Sequence, residues 1–322
     1  MVELSLAGDD LVLPFEIKPL GVRGRLVRLG AAVDDILHRH DYPPAVSATL
    51  AEAVALTAML GAMLKFDGKF ILQTKTDGPV DMIVADYVSP GRIRGYARFD
   101  AARVAALGSP SQAELLGNGY LAMTVDQGPD MERYQGIVPL AGHDDLTAAA
   151  HGYFEKSEQI PTRIRLAAGP LLQRGSKAES WRAGAIMVQH LPREGGQSPL
   201  PTHSGDAPGG GEEAPQEHDD WVKARLLLDT VEAHELLDPQ LTAEQLLYRL
   251  YHEDGVTAYP ATPLARYCSC SQEAITRMLA RFPAEDQADM VEKGEIAVTC
   301  EFCSTLYRVA PGDLGPDQQG RV

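Results

Sequence analysis

The chain has 322 residues, 44% hydrophobic and 23% charged, with a formal net charge of −16 at pH 7. That length can bury a large core in more than one domain, and the composition is globular. The acidic balance argues against general nucleic-acid binding, which needs a basic surface to displace phosphate counterions.

The first region, residues 1–191, reads as an α+β core. Met1-Val2-Glu3-Leu4 lacks the basic-then-apolar order of a secretory signal. No apolar run of roughly eighteen residues marks a transmembrane helix, so the cytoplasm is the expected compartment and no membrane partner is expected. Residues 16–29 have strand character around Val22, Leu26, Val27 and Leu29, and residues 31–40 look helical. Asp41-Tyr42-Pro43-Pro44 breaks the chain, because proline suits the first turn of a helix and not its interior. Residues 45–65 are apolar nearly all round (Val46, Leu50, Val54, Leu60, Leu64), the pattern of a buried helix.

The period then switches to two. Residues 70–76, 80–88 and 92–99 read as three strands joined at Asp77-Gly78-Pro79 and Ser89-Pro90-Gly91. In the third, Arg92, Arg94, Tyr96 and Arg98 alternate with Ile93, Gly95, Ala97 and Phe99, which predicts an antiparallel sheet with one wet face. Residues 120–125 and 134–140 continue the meander. Residues 144–160 form an amphipathic helix capped at Asp144-Asp145, and residues 162–168 and 183–191 are later strands. The order predicts helices packed on a mainly antiparallel sheet.

Residues 192–217, with Gly195-Gly196 and Gly209-Gly210-Gly211, hold almost no large apolar side chain and read as a flexible Gly/Pro-rich insertion. Residues 218–261 read as a helical linker. Asp219 or Asp220 can cap its first helix, which carries an apolar face of Trp221, Ala224 and Leu228 with Leu227 and Val231. Thr242-Ala243-Glu244-Gln245 resembles a capping box opening a second helix through Leu246, Leu247, Leu250 and Tyr251. So acidic a segment is marginal alone and has to dock its apolar face, with the core sheet as the expected surface.

The last region, residues 262–322, carries all four cysteines of the chain: Cys268-Ser269-Cys270, then twenty-nine residues, then Cys300-Glu301-Phe302-Cys303. Two close pairs with a gap long enough to fold back suit a tetrahedral zinc site, so Cys268, Cys270, Cys300 and Cys303 are the expected ligands of one zinc ion. Short helices at 271–282 and 283–293 and strands at 294–299 and 304–309 flank them. So small a domain commonly requires its metal to fold. Spacing alone favours a static clip, and the tight C-x-C pair points part way toward a redox switch, since zinc-held thiolates are the form that oxidants attack. A zinc-clipped protein-binding module, a zinc ribbon and a thiol oxidoreductase are the other readings. The nine histidines form no ligand pair and read as surface or packing residues, and no nucleophile elbow, Walker loop or dinucleotide turn is present, which disfavours an enzyme.

The C-x-C and C-x-x-C pairs, His40-Asp41-Tyr42-Pro43, Leu64-Lys65-Phe66-Asp67-Gly68, Gly117-Asn118-Gly119-Tyr120, Arg133-Tyr134-Gln135-Gly136, Ser157-Glu158-Gln159-Ile160-Pro161 and Leu250-Tyr251-His252-Glu253 occur in one order. In that order they resemble the segments of the heat-shock protein 33 family, the redox-regulated cytoplasmic holdase chaperones. The resemblance covers residues 22–309; the first twenty residues match poorly, and the 192–217 stretch is longer than the usual connection. It implies an α+β core, a helical linker over it and a C-terminal zinc domain, inactive while zinc is bound. It further implies oxidation to the disulfides Cys268–Cys270 and Cys300–Cys303, release of zinc, unfolding of the linker and ATP-independent binding of unfolding clients. The implied active form is a homodimer, with hand-over to the 70-kDa heat-shock chaperone system.

Overall fold

A computed structural model describes residues 8–128, 131–172, 179–191 and 218–314. The chain opens with an antiparallel hairpin, β1 (Leu11–Ile17) and β2 (Val22–Leu29), joined by a 3-10 turn at Lys18–Leu20 that ends on Gly21 with φ 60°. The strand expected over residues 16–29 is β2, starting at Val22; the 3-10 turn, where Pro19 fixes φ and removes a donor, separates it from β1, of which only Glu16 and Ile17 fall in the expected range. Helix α1 (Ala31–Leu37) follows, then α2 (Pro44–Gly61) with Pro44 in its first turn. By length and composition α2 could cross a membrane, yet 78% of it is buried, packed against strands of two sheets.

The expected meander follows as β3 (Lys69–Thr76), β4 (Val80–Val88) and β5 (Arg92–Phe99). Two short helices, α3 (Ala101–Leu107) and α4 (Gln112–Leu116), interrupt it before β6 (Gly119–Asp126) and β7 (Tyr134–Pro139). The sequence pattern carried no sign of α3 and α4: each is too short for periodicity, and they are set by their caps at Asp100 and Ser111. Helix α5 (Leu146–Tyr153) is capped by Asp145, whose side chain accepts from Ala148 N at 2.7 Å, and runs into a π turn at Phe154–Glu158. Strands β8 (Thr162–Leu172) and β9 (Glu179–His190) complete the core.

The linker forms three helices, α6 (Asp219–Asp229), α7 (Ala233–Leu237) and α8 (Ala243–Tyr251). The cap of α6 is His218, not Asp219 or Asp220: its Nδ1 accepts from Asp220 N at 3.3 Å, and the two aspartates lie in the first turn, where the helix dipole favours negative charge. The capping box at Thr242 and Gln245 is present. Strands β10 (Thr257–Ala258), β11 (Thr262–Pro263) and β12 (Ala265–Arg266) lead to α9 (Gln272–Leu279), α10 (Ala284–Asp289), β13 (Ile296–Thr299) and β14 (Leu306–Val309). The glycine-rich stretch 192–217 lies outside the described residues.

The fold class is α+β; among the described residues the core strands and the β10–β12 strip are divided between two six-stranded sheets rather than one, and β13 and β14 pair as a separate two-stranded sheet. The first has the order β10-β1-β2-β9-β8, with β11 also on β1; the second has the order β12-β5-β4-β3-β6-β7. Every pairing is antiparallel except β12 with β5. The main core lies between the sheets around α2, with Val27, Met187, Leu72 and Ile83 all fully buried. The other face of the first sheet is covered by the linker: Leu13, Phe15 and Ile186 pack with Trp221, Leu228 and Leu246. Gly24 makes that face possible, because a Cβ there would lie 2.1 Å from the ring of Phe15. Arg28, 2% exposed, crosses from β2 to donate to the carbonyls of Leu241 (2.6 Å) and Asp238 and faces Asp9 at 3.4 Å.

Candidate metal centre

The chain reaches the cysteines along the edges of both sheets. Leu264 N donates to Asp10 O (2.7 Å) on the first sheet, then Ala265 N to Gly91 O (2.9 Å) and Tyr267 N to Ile93 O (3.0 Å) on the second. Gly91 has φ 141°, and a Cβ there would stand 2.1 Å from Pro263 O, so only glycine admits this crossing. Cys268 and Cys270 follow directly. The second pair sits in the turn of the β13–β14 hairpin, held by Cys300 N to Thr305 O (3.0 Å) and Ser304 N to Cys300 O (2.8 Å).

The fold brings the four sulfurs together within 4.8 Å of one another. The separations are 3.1 Å for Cys268–Cys270, 3.3 Å for Cys270–Cys303 and 3.7 Å for Cys268–Cys300. All four are free thiols, Cys303 buried and the others half-buried. Four Zn–S bonds of about 2.3 Å in a tetrahedron would set the sulfurs about 3.8 Å apart. The cluster fits that cage, and a soft all-thiolate donor set suits zinc or another thiophilic ion.

The electrostatics point the same way. Burial pushes the Cys270 thiol up to about 12, with its sulfur neighbours acting in the same direction and the Tyr307 hydroxyl, donating at 3.0 Å, acting against them. Burial also raises Cys300. Cys303 is pushed up by burial too, but hydrogen bonds from Thr305 and the neighbouring thiols outweigh that and bring it down to about 6. Four sulfurs this close share their protons, and a bound cation is what allows all of them to ionise.

The sequence reading placed these four residues but not what surrounds them. Arg94 on β5 donates through Nε to Asp86 Oδ2 (2.7 Å) and through Nη1 to Ser269 Oγ (3.1 Å), and its guanidinium lies 3.8 Å from the ring centre of Phe302. Arg94 and Tyr96, assigned to the wet face of the sheet, are partly covered by the cysteine loops. His40 is no ligand: its Nδ1 is hydrogen-bonded to the Ser304 hydroxyl at 3.2 Å, and its ring stacks on Tyr42 at 4.8 Å. The only available signal was that His40-Asp41-Tyr42-Pro43 is one of the segments resembling a known family.

The fold is similar to that of a 33 kDa chaperonin (heat shock protein 33 homolog) from Thermotoga maritima. That crystal structure matches with a TM-score of 0.72 over 95% of this chain and 96% of the other, at 20% identity. In sequence, a 33 kDa chaperonin from Caulobacter vibrioides is 44% identical over 308 residues, covering 94% of this chain and 95% of the relative. One from Escherichia coli is 34% identical over 290 residues, covering 89% and 87%. The class of protein is therefore a chaperone. The profile of the family described as Hsp33 protein matches residues 10–310, and the chain belongs to the Hsp33 family. The match starts earlier than residue 22, on the β1 strand that the sequence reading left unassigned.

Proposed function

We propose that the protein is a redox-regulated, ATP-independent holdase, a binding protein rather than an enzyme. In its resting state Cys268, Cys270, Cys300 and Cys303 hold one zinc ion. Bound there, zinc would keep the four sulfurs as thiolates and tie the C-x-C loop to the C-x-x-C hairpin. An oxidant such as hypochlorous acid joins Cys268 Sγ to Cys270 Sγ and Cys300 Sγ to Cys303 Sγ. Each new S–S bond takes two electrons from a pair of thiolates; one hypochlorous acid accepts them and, with one proton from solvent, leaves as chloride and water. Disulfide sulfurs no longer serve as thiolate donors, so the cage is lost, and with it folding energy on the order of 10 kcal/mol. The linker α6–α8 then unfolds, and apolar surface of the core holds unfolding client proteins until reduction permits hand-over to the 70-kDa heat-shock chaperone system. The active form is a homodimer in the cytoplasm.

The observation that carries this reading is the sulfur cluster itself. It gathers every cysteine of the chain at one point, and that point touches the core directly through Arg94. The test is to treat reduced, zinc-loaded protein with hypochlorite while measuring free zinc and the aggregation of an unfolding client. About one zinc per chain is released and aggregation is suppressed only afterwards. Equal suppression before and after oxidation would end the switch reading.

A further inference from the structure

The cysteine unit meets the second sheet through one side chain that contacts both cysteine loops. Ser269, which accepts from Arg94 Nη1 at 3.1 Å, lies between Cys268 and Cys270. Phe302, whose ring sits 3.8 Å from the guanidinium, lies between Cys300 and Cys303. Tyr267, just before Cys268, offers a second ring at 5.4 Å. Phe302 also meets Tyr96, two residues along β5, with ring centres 6.2 Å apart. The ring therefore contacts two outward-facing residues of one strand. Asp86 on β4, its side chain 3% exposed, fixes Arg94 from the core side. That ion pair involves only core residues, so the guanidinium is held in position whether or not the cysteine unit is docked.

We propose that Arg94 and Phe302 form the latch that docks the cysteine unit on β5 and passes the state of either cysteine pair to the core. The proposal rests on the zinc-cluster reading above and adds the route by which loss of the cluster is felt. Closing either pair as a disulfide draws sulfurs to about 2.05 Å and reshapes the loop between them. The residues in those loops are Ser269 and Phe302, so a change in either loop removes a partner from the same guanidinium. An arginine suits this role because its plane stacks on a ring while its edge donates to a carboxylate and a hydroxyl. Arg94 and Phe302 are positioning residues and touch no client.

The experiment uses the full chain, reduced and zinc-loaded, as wild type, Phe302→Leu and Phe302→Tyr, and reads amide hydrogen exchange together with zinc content. Tyr267 N, bonded to Ile93 O, reports docking; Cys300 N and Ser304 N report the cysteine hairpin. In Phe302→Leu, exchange at Tyr267 rises by about two- to thirtyfold. Zinc content and the protection of Cys300 and Ser304 stay at wild-type levels. Phe302→Tyr, which keeps the ring, restores protection at Tyr267. Arg94→Lys keeps a charge for Asp86 and loses the plane; it opens the junction in the same direction, and the double variant Arg94→Lys/Phe302→Leu opens it by less than the product of the two single effects. Unchanged exchange at Tyr267 in Phe302→Leu overturns the latch. So does loss of zinc in that variant, since Phe302 would then support the hairpin and not the junction. If hypochlorite fails to switch on client protection in the wild type while Phe302→Leu still opens at Tyr267, the switch reading falls and the latch stands.

Discussion

The linker helices and the cysteine unit both dock on the core, on different sheets and by different chemistry. Helices α6–α8 bury Trp221, Ala224, Leu228, Leu246, Leu247 and Tyr251 against one face of the first sheet, each at most 5% exposed. The cysteine unit has a core of four buried residues, Leu279, Ile296, Val309 and Leu314. It meets the second sheet at Arg94, through Phe302, Ser269 and Tyr267, and meets His40, on the segment between α1 and α2, through Ser304. The first attachment is hydrophobic and spread over many side chains, so no single contact decides it. The second is directional and concentrated at a few groups, and it depends on a unit too small to fold on its apolar contacts alone. A chemical trigger is better placed in the second. On the function proposed above, the linker's share would be the resistance such a trigger has to overcome; the β10–β12 strip pairs with both sheets and lies between the two attachments.

The largest effect is expected on metal removal. A strong chelator added to reduced, zinc-loaded protein removes folding energy on the order of 10 kcal/mol from the cysteine unit. Exchange of the Cys300 and Ser304 amides and of the β13–β14 ladder then approaches that of an unfolded chain, while β3 and β4 stay protected. Simultaneous loss of protection in α8 would break the comparison, by showing that the linker has no stability of its own.

Next in size is Leu246→Ala. Leu246 is fully buried between α8 and the first sheet. Truncating it costs about 2–5 kcal/mol through lost transfer energy and the cavity left behind. The variant exposes α6–α8 to exchange or protease at lower denaturant and keeps one zinc per chain. A fall in zinc affinity would mean that the two attachments are coupled in the resting state.

The two attachments were unequally legible in the sequence. The linker's apolar face could be read from Trp221, Ala224 and Leu228, because burial against a sheet leaves a helical period. The four cysteines could be read because metal ligation restricts residue type and spacing together. The division into two sheets could not, since alternation gives a strand its faces and not its neighbours. Strand β1 escaped because Pro14 lies inside it and no earlier periodicity framed it; its pairing with β2 is what secures it. Arg94 looked like any outward-facing residue of an alternating strand. What sets it apart is a loop more than 170 positions away, as the separation of 175 residues from Ser269 records.

The smallest expected effect is a pH slope on the linker side. His151 on α5 accepts the Ile164 amide through Nε2 at 2.8 Å, so the folded ring is neutral with its proton on Nδ1. Burial first, and then the charge of Arg163, hold its pKa below the ordinary 6.5, against the pull of Asp145 and Asp229. Arg163 is itself paired at 2.6 Å with Asp229, the last residue of α6, so the histidine lies near the end of the first linker helix. A folded pKa below the unfolded one means that the unfolded chain binds more protons in acid. The stabilisation is fully present above about pH 6.5 and is lost as the pH falls through the folded value. Denaturant unfolding of the wild type followed from about pH 7 to about pH 5 then shows falling stability. His151→Gln can offer an amide oxygen to Ile164 without titrating. It costs about 1 kcal/mol at neutral pH for the imperfect bond and gives a shallower slope. Parallel slopes for the two proteins would remove His151 as the source, and acid would then no longer distinguish the linker side from the cysteine side.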